Sequence, residues 1–225
     1  VVDLSNFYQD IAKDRLYISD ANSSRRRSCQ TVLAVALENL AKSVAPVLCH
    51  MAEDIWQFMP YETGTKSVFE AGWLTIDSQW AKPELADTWN QLRELRDEVN
   101  QVLEQARSAK DIGSSLQAKA LIYVADTQLR DQLKAMNHSN AIAPDSNHVD
   151  EARYLFLVSQ VEILDSSDRL KDIKYRSESD AFGIGIVDAD GKKCDRCWNY
   201  STHVGESAEH STICERCVEA LAGNF

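Results

Sequence analysis

No stretch of this 225-residue sequence approaches the roughly 18 consecutive apolar residues that a membrane-crossing helix needs. Nor does it open as a secretory leader does, because the first ten residues lack a basic region followed by an apolar one. The reading is of a protein with no membrane partner. Positive charge is also scarce: 24 lysines and arginines face 35 carboxylates, a formal net charge of −11. A surface of that sign does not hold nucleic acid non-specifically, so any such binding uses local patches. One patch is visible in residues 13–27, where Lys13, Arg15, Arg25, Arg26 and Arg27 stand against only Asp14 and Asp20. No internal repeat is found. The first residue is Val1, with Phe7, Tyr8, Ile11 and Leu16 close behind, and the chain reads as a fragment of a longer one.

What is present is an ordinary globular composition, 44% hydrophobic and 26% charged, enough for one or two domains. Ser23 and Ser24 are good caps for an apolar series that follows, Leu33, Leu37, Leu40, Val44, Val47, Leu48, Met51, Ile55 and Phe58. Its steps of three and four predict one stripe on a long helix, kinked or divided at Pro46. Pro60, Gly64 and Gly72 mark a loop. A second series, Leu85, Trp89, Leu92, Leu95, Val99, Val102 and Ala106, predicts another amphipathic helix that stops near Gly113. Cys29, Cys49, Trp56, Trp73, Trp80 and Trp89 are read as core residues.

Beyond Gly113 the texture changes. Residues 119–125 read as a strand, 127–136 as a helix, 137–147 as a loop, 149–159 as a helix and 161–164 as a strand. The charged, serine-rich stretch 165–180 reads as an exposed linker, and 182–187 as the start of a last module with a core of its own. The expected fold class is mainly α: a helical bundle over residues 1–112, a small α/β junction unit with its linker over 113–180, and a four-cysteine zinc module over 181–225.

That module carries the sharpest signal. Cys194-Asp-Arg-Cys197 and Cys214-Glu-Arg-Cys217 are two CxxC pairs with sixteen residues between them. A CxxC turn aims two thiolates at one ion, and two such turns close a tetrahedral shell around a single Zn²⁺. A closed shell has no place for a reacting water, so the zinc is structural, one per chain, and stands in for a missing apolar core. His203 and His210 lie between the pairs and read as surface residues. Trp198 and Arg196 sit on the first turn, and two readings stay open for them. They stack on and hydrogen-bond an unpaired RNA base, or Trp198 is the module's small core. Arg25, Arg26 and Arg27 are read first as a solvated helix face and second as a phosphate contact.

Several segments then match a family. Residues 13–17 (Lys-Asp-Arg-Leu-Tyr), 25–33 and 45–56 resemble the anticodon-binding bundle of class I synthetases for branched aliphatic amino acids. Residues 92–100, 109–119 and 157–162, with the Lys193-Cys-Asp-Arg-Cys-Trp198 knuckle, resemble the isoleucyl-tRNA synthetase family more narrowly. Cys49 departs from the family, where a second proline often stands. The resemblance implies a parent enzyme that joins isoleucine to its tRNA in the cytoplasm, using ATP and Mg²⁺ in a catalytic domain not found here. The family's His-x-Gly-His and Lys-Met-Ser-Lys-Ser signatures are absent, so no catalytic residue is assigned in this chain. It also implies that Arg196 and Trp198 contact the anticodon, with isoleucine tRNA and the catalytic and editing domains as partners and no DNA. The rival readings are the tail of a zinc-finger DNA-repair glycosylase and a scaffold with a stapling zinc.

Overall fold

The computed structural model describes residues 2–73, 77–136 and 151–225, and the loop expected at 137–147 lies outside them. These residues form two compact units, one of Ser24–Pro83 and one of Val1–Ser23 with Glu84–Phe225. The chain is mainly helical, with a small mixed sheet and a four-cysteine cluster. Among the described residues no helix is long and apolar enough to cross a membrane.

In the smaller unit Pro46 divides the expected long helix, as its missing N–H requires. Helix α2, Ser24–Val44, stops just before it, and α3, Cys49–Gln57, begins after a turn closed by Leu48 N–H on Val44 O at 2.7 Å. The face these helices bury differs from the expected stripe. The core is Ala41, Ala45, Ala52, Trp56 and Val68, while Leu40, Val47, Leu48, Met51 and Phe58 are exposed. Alanines let two helices approach closely, and one indole then fills the space that larger side chains would have filled. The Trp56 indole donates to Thr65 O at 3.3 Å, with the Lys42 ammonium 5.3 Å from its centroid. The loop is pinned by Glu53, which accepts from Ser67 Oγ at 2.8 Å and Val68 N at 3.1 Å. The Ser67 hydroxyl, followed by Gln57, holds that carboxyl below its ordinary range. Cys29 is buried as expected, but Cys49, Trp73 and Trp80 are exposed. Apolar character alone does not separate a core aromatic from a surface one.

In the larger unit a π-helical turn, Val2–Tyr8, leads into α1, Gln9–Tyr17. Helix α4, Pro83–Ser108, buries Leu92, Leu95, Val99, Val102, Leu103 and Ala106, the face its periodicity predicts. Trp89 is half-buried and meets Phe7 edge-on, centroids 6.0 Å apart. Strand β1, Ala118–Val124, lies against α5, Thr127–Met136, and α6, Glu151–Phe156. It pairs in parallel with β2, Gln160–Leu164, and antiparallel with β4, Phe182–Asp188. The far edge is β3, Tyr175–Glu178, and the order is β2-β1-β4-β3. Ala118, Ala120, Ile122 and Val124 face the main core while Leu121 faces a second cluster with Leu164 and Leu170. A strand buried on both faces reads as a continuous apolar run.

Two expectations are corrected here. Residues 165–180 are not an exposed linker: they hold the short turn Ser167–Leu170, with Leu170 fully buried, and the edge strand β3. Residues 182–187 belong to the sheet through β4, paired with β1 along its whole length. Leu170 and Ile173 are too few to set a period, so the sequence shows only the charge around them. Their seat is written elsewhere, in β4, where Ile184 and Ile186 face the main core and Gly183 and Gly185 the other side. A Cβ on Gly185 would lie 2.8 Å from Leu170 Cδ2, and one on Gly183 2.7 Å from Leu170 Cδ1.

Gly185→Val should therefore lower stability to urea by about 1–3 kcal/mol through overpacking. In a Leu170→Ala background the added methyls occupy vacated space, so a double-mutant cycle should show a favourable coupling of roughly 0.5–3 kcal/mol. Strict additivity would mean that Leu170 does not occupy the space the glycines leave.

Candidate metal centre and nucleic-acid face

Strands β5, Lys192–Lys193, and β6, Tyr200–Ser201, form a two-stranded ribbon, with the first CxxC turn between them. The turn closes through Cys194 N–H on Asn199 O at 2.8 Å and Trp198 N–H on Cys194 O at 2.9 Å. This return forces Trp198 to φ +65°, the left-handed region that a bulky side chain rarely takes. The second pair straddles the start of α7, Glu215–Leu221, with Cys214 as its N-cap residue and the Cys214 N–H 3.3 Å from Cys194 Sγ.

These two turns bring all four sulfurs within 4.8 Å of one another. Cys194 and Cys217 are 3.7 Å apart, as are Cys197 and Cys214. Zn–S bonds of about 2.3 Å place tetrahedral sulfurs about 3.8 Å apart, so the spacing suits zinc. Hydrogen bonds from Cys214 and then Cys217 hold the Cys197 thiol far below its ordinary range, against burial and with help from Arg216. The hydrogen bond with Cys197 pushes Cys214 up to about 12, and Cys217 higher still. Thiolate rather than thiol is the zinc ligand, so a bound cation would hold all four sulfurs deprotonated. The cluster contains neither intervening histidine, and exposed His203 bonds Glu206 at 2.8 Å, which raises its pKa.

The expectation of a self-contained module does not hold. Ile18, just after α1, belongs to the same buried cluster as Cys194, Cys214 and Cys217. Arg216, inside the second pair, is 1% exposed, and its Nη1 donates to both oxygens of Asp14 at 2.7 Å and to the Tyr154 hydroxyl. Its guanidinium carbon is 5.5 Å from the ring centroids of Tyr154 and Phe225. Asp20 N–H donates to Phe225 O at 2.6 Å, and Tyr200 N–H to Ser159 Oγ at 2.7 Å. Gln160 holds both sides of the Asp190 backbone, at 2.9 and 3.0 Å. Sequence reasoning missed Asp14, Ile18, Tyr154 and Phe225. The one available signal was a cation placed between two ligands of a buried cluster, which needs a buried acceptor to answer it.

The structure brings Arg196 and Trp198 together at the mouth of a cavity of about 560 Å³, walled also by Tyr17, Ile18, Leu116, Tyr154 and Leu157. Trp198 is 62% exposed with the Lys193 ammonium 5.2 Å from its centroid, so the reading of Trp198 as the module's core is corrected. Arg196 Nη2 donates to Ile18 O at 3.0 Å, while its Nη1 is enclosed without a hydrogen bond. Arg25, Arg26 and Arg27 lie in the first turn of α2, the first two half-buried and the third exposed, in the other compact unit.

Residues 1–122 match the family described as the anticodon-binding domain of tRNA ligase, and residues 191–220 match the zinc finger found in FPG and IleRS. The chain is 66% identical over its full length to an isoleucine–tRNA ligase of a Nostoc species, and 63% to that of Gloeothece citriformis. It is 64% identical over 96% of its length to the Acaryochloris marina enzyme of the same name. In each case it spans only 22–23% of the relative's length. The zinc-finger match and the sulfur geometry together make the cluster a structural zinc site.

Asp14→Ala would strand a buried guanidinium, and a loss of roughly 3–5 kcal/mol in unfolding free energy is expected for the zinc-loaded chain. Arg216→Met in that background should recover part of it. Chelating the zinc should raise amide exchange across Gln9–Tyr17 as well as in the tail. Unchanged exchange in that helix would show that α1 does not depend on the metal.

Proposed function

Because the chain belongs to the family of the anticodon-binding domain of tRNA ligases, we propose that it is the anticodon-binding and zinc-binding part of an isoleucine–tRNA ligase. In this reading the whole enzyme attaches isoleucine to its tRNA in the cytoplasm, and ATP and Mg²⁺ belong to the catalytic domain. The partners are isoleucine tRNA and the catalytic and editing domains of the same polypeptide. Residues 1–112 supply the helices of the anticodon-binding region, the sheet that ends with β4 follows them, and the ribbon from Lys192 onward presents the zinc turn. Cys194, Cys197, Cys214 and Cys217 are the zinc ligands, and Arg196 and Trp198 contact the anticodon.

One observation carries the RNA assignment. A tryptophan held at positive φ costs of order 1–3 kcal/mol, and this one returns little of it by packing, since it is mostly exposed. A rigid ring presented to solvent beside a cavity, with Lys193 and Arg196 around it, is what stacking on an unpaired base requires. Arg196 spends one Nη2 N–H on Ile18 and has its Nη1 enclosed, so the second Nη2 N–H and the Nε N–H are the donors left for RNA. Arg25, Arg26 and Arg27 are assigned a second contact, because three cations clustered in one helical turn form a local basic patch on a chain of net charge −11. The glycosylase reading shares only the zinc finger, whereas the anticodon-binding match covers the first half of the chain.

Base stacking is worth roughly 1–3 kcal/mol, so Trp198→Ala should weaken binding of isoleucine tRNA by about 5- to 150-fold in filter binding, with zinc retained. Arg196→Ala should weaken it too, and more for isoleucine tRNA than for a tRNA with another anticodon if it reads a base edge. Zinc-loaded Trp198→Ala that binds as tightly as the parent would remove the stacking assignment. Pyrophosphate exchange driven by isoleucine and ATP should be undetectable with this chain alone.

A further inference from the structure

The four sulfurs of the cluster are not equally covered. Cys194, Cys214 and Cys217 are buried, whereas Cys197 is only partly so, and it alone of the four lines the cavity beside Trp198. A small uncharged molecule in that cavity therefore meets one zinc ligand and no other. An answering sulfur, Cys214 Sγ, lies 3.7 Å from Cys197 Sγ.

We propose that Cys197 is a covalent modification site for small two-electron oxidants of the hydroperoxide class, entering through this cavity and ending as a Cys197–Cys214 disulfide. The Cys197 thiolate attacks one peroxide oxygen, an S–O bond forms and the O–O bond breaks. Sulfur is oxidised by two electrons to a sulfenic acid, and the departing hydroxide takes a proton to become water. The Cys214 thiolate then attacks the sulfenic sulfur: the S–S bond forms, the S–O bond breaks, and the second hydroxide leaves as water with a second proton. Two thiolates, one peroxide and two protons thus give one disulfide and two waters. With two of four ligands gone, the metal is no longer held, and the turn that carries Trp198 loses its frame.

The proposal rests on the reading of the four cysteines as zinc ligands, which elemental analysis of the untreated protein checks separately. The test treats the zinc-loaded chain with limiting hydrogen peroxide, traps sulfenic acid with a dimedone reagent, and maps it by mass spectrometry while a chromogenic chelator follows zinc release. Within the cluster the first trapped adduct should sit on Cys197, and the first disulfide without the trap should join Cys197 to Cys214. A first adduct on Cys194, Cys214 or Cys217 overturns the proposal, whatever the zinc content. A second arm uses histidine, which keeps a tetrahedral N/S site. Oxidative zinc release should slow at least about 5-fold in Cys197→His but stay near the parent rate in Cys217→His. Equal slowing in both would show that the cavity confers no selectivity.

Discussion

A guanidinium enclosed on every side has to be met by a carboxylate, and in this chain that requirement ties the two ends of the larger unit together. Arg216 lies between two sulfurs of the metal cluster, and its answering charge is Asp14, on the first helix. Burying the pair is expensive, and removing either partner alone is more expensive still, so the arrangement stays intact or fails as a whole. Tyr154 adds a hydroxyl from α6, and the ring centroids of Tyr154 and Phe225 each lie 5.5 Å from the guanidinium carbon. Metal site, first helix, α6 and the last residue thus share one fixed point. The cavity beside Trp198 draws part of its wall from the first helix, α6 and the first CxxC turn.

The larger unit is otherwise organised by a strand that belongs to two cores. Strand β1 gives one face to α4, α5 and α6 and the other to Leu164 and Leu170. Its partner β4 performs the same division with alternate residues, isoleucines to the main core and glycines to the Leu170 side. The metal ribbon follows directly after β4 and is fastened to the sheet edge through Ser159 and Gln160. The exposed tryptophan therefore stands on a platform whose position is set by sheet pairing, by the metal and by the buried ion pair together. Such support is what a recognition residue needs to stay in place when a ligand arrives.

How much of this was legible in the residues depended on the distance over which each signal acts. Local signals were read well: the division at Pro46, the buried face of α4, strand β1 and the two CxxC turns all follow from spacing within a few residues. The α2–α3 core was misjudged because its close approach uses alanines, which a search for large apolar side chains passes over. Leu170 was missed because the space it fills is specified by two glycines in another strand. Arg216 was seen only as a member of the second CxxC turn, because nothing near it in sequence announces a carboxylate in the first helix. The position of Trp198 was left open for a related reason. Spacing fixes the ring on the turn, but only the turn's return path fixes it at positive φ and turns it outward.

The separation of Asp14 from Arg216, 202 residues, has a bearing on how the chain is made. At about 5–20 residues per second, a ribosome takes roughly 10–40 s to go from one to the other. The pair α2–α3 carries its own core and can close early in that interval. The first helix cannot, because its charge partner, the sulfurs around Ile18 and the carbonyl that receives Asp20 are all still to be synthesised. Vectorial synthesis thus leaves α1 waiting for the residues around Arg216 before its packing can be completed.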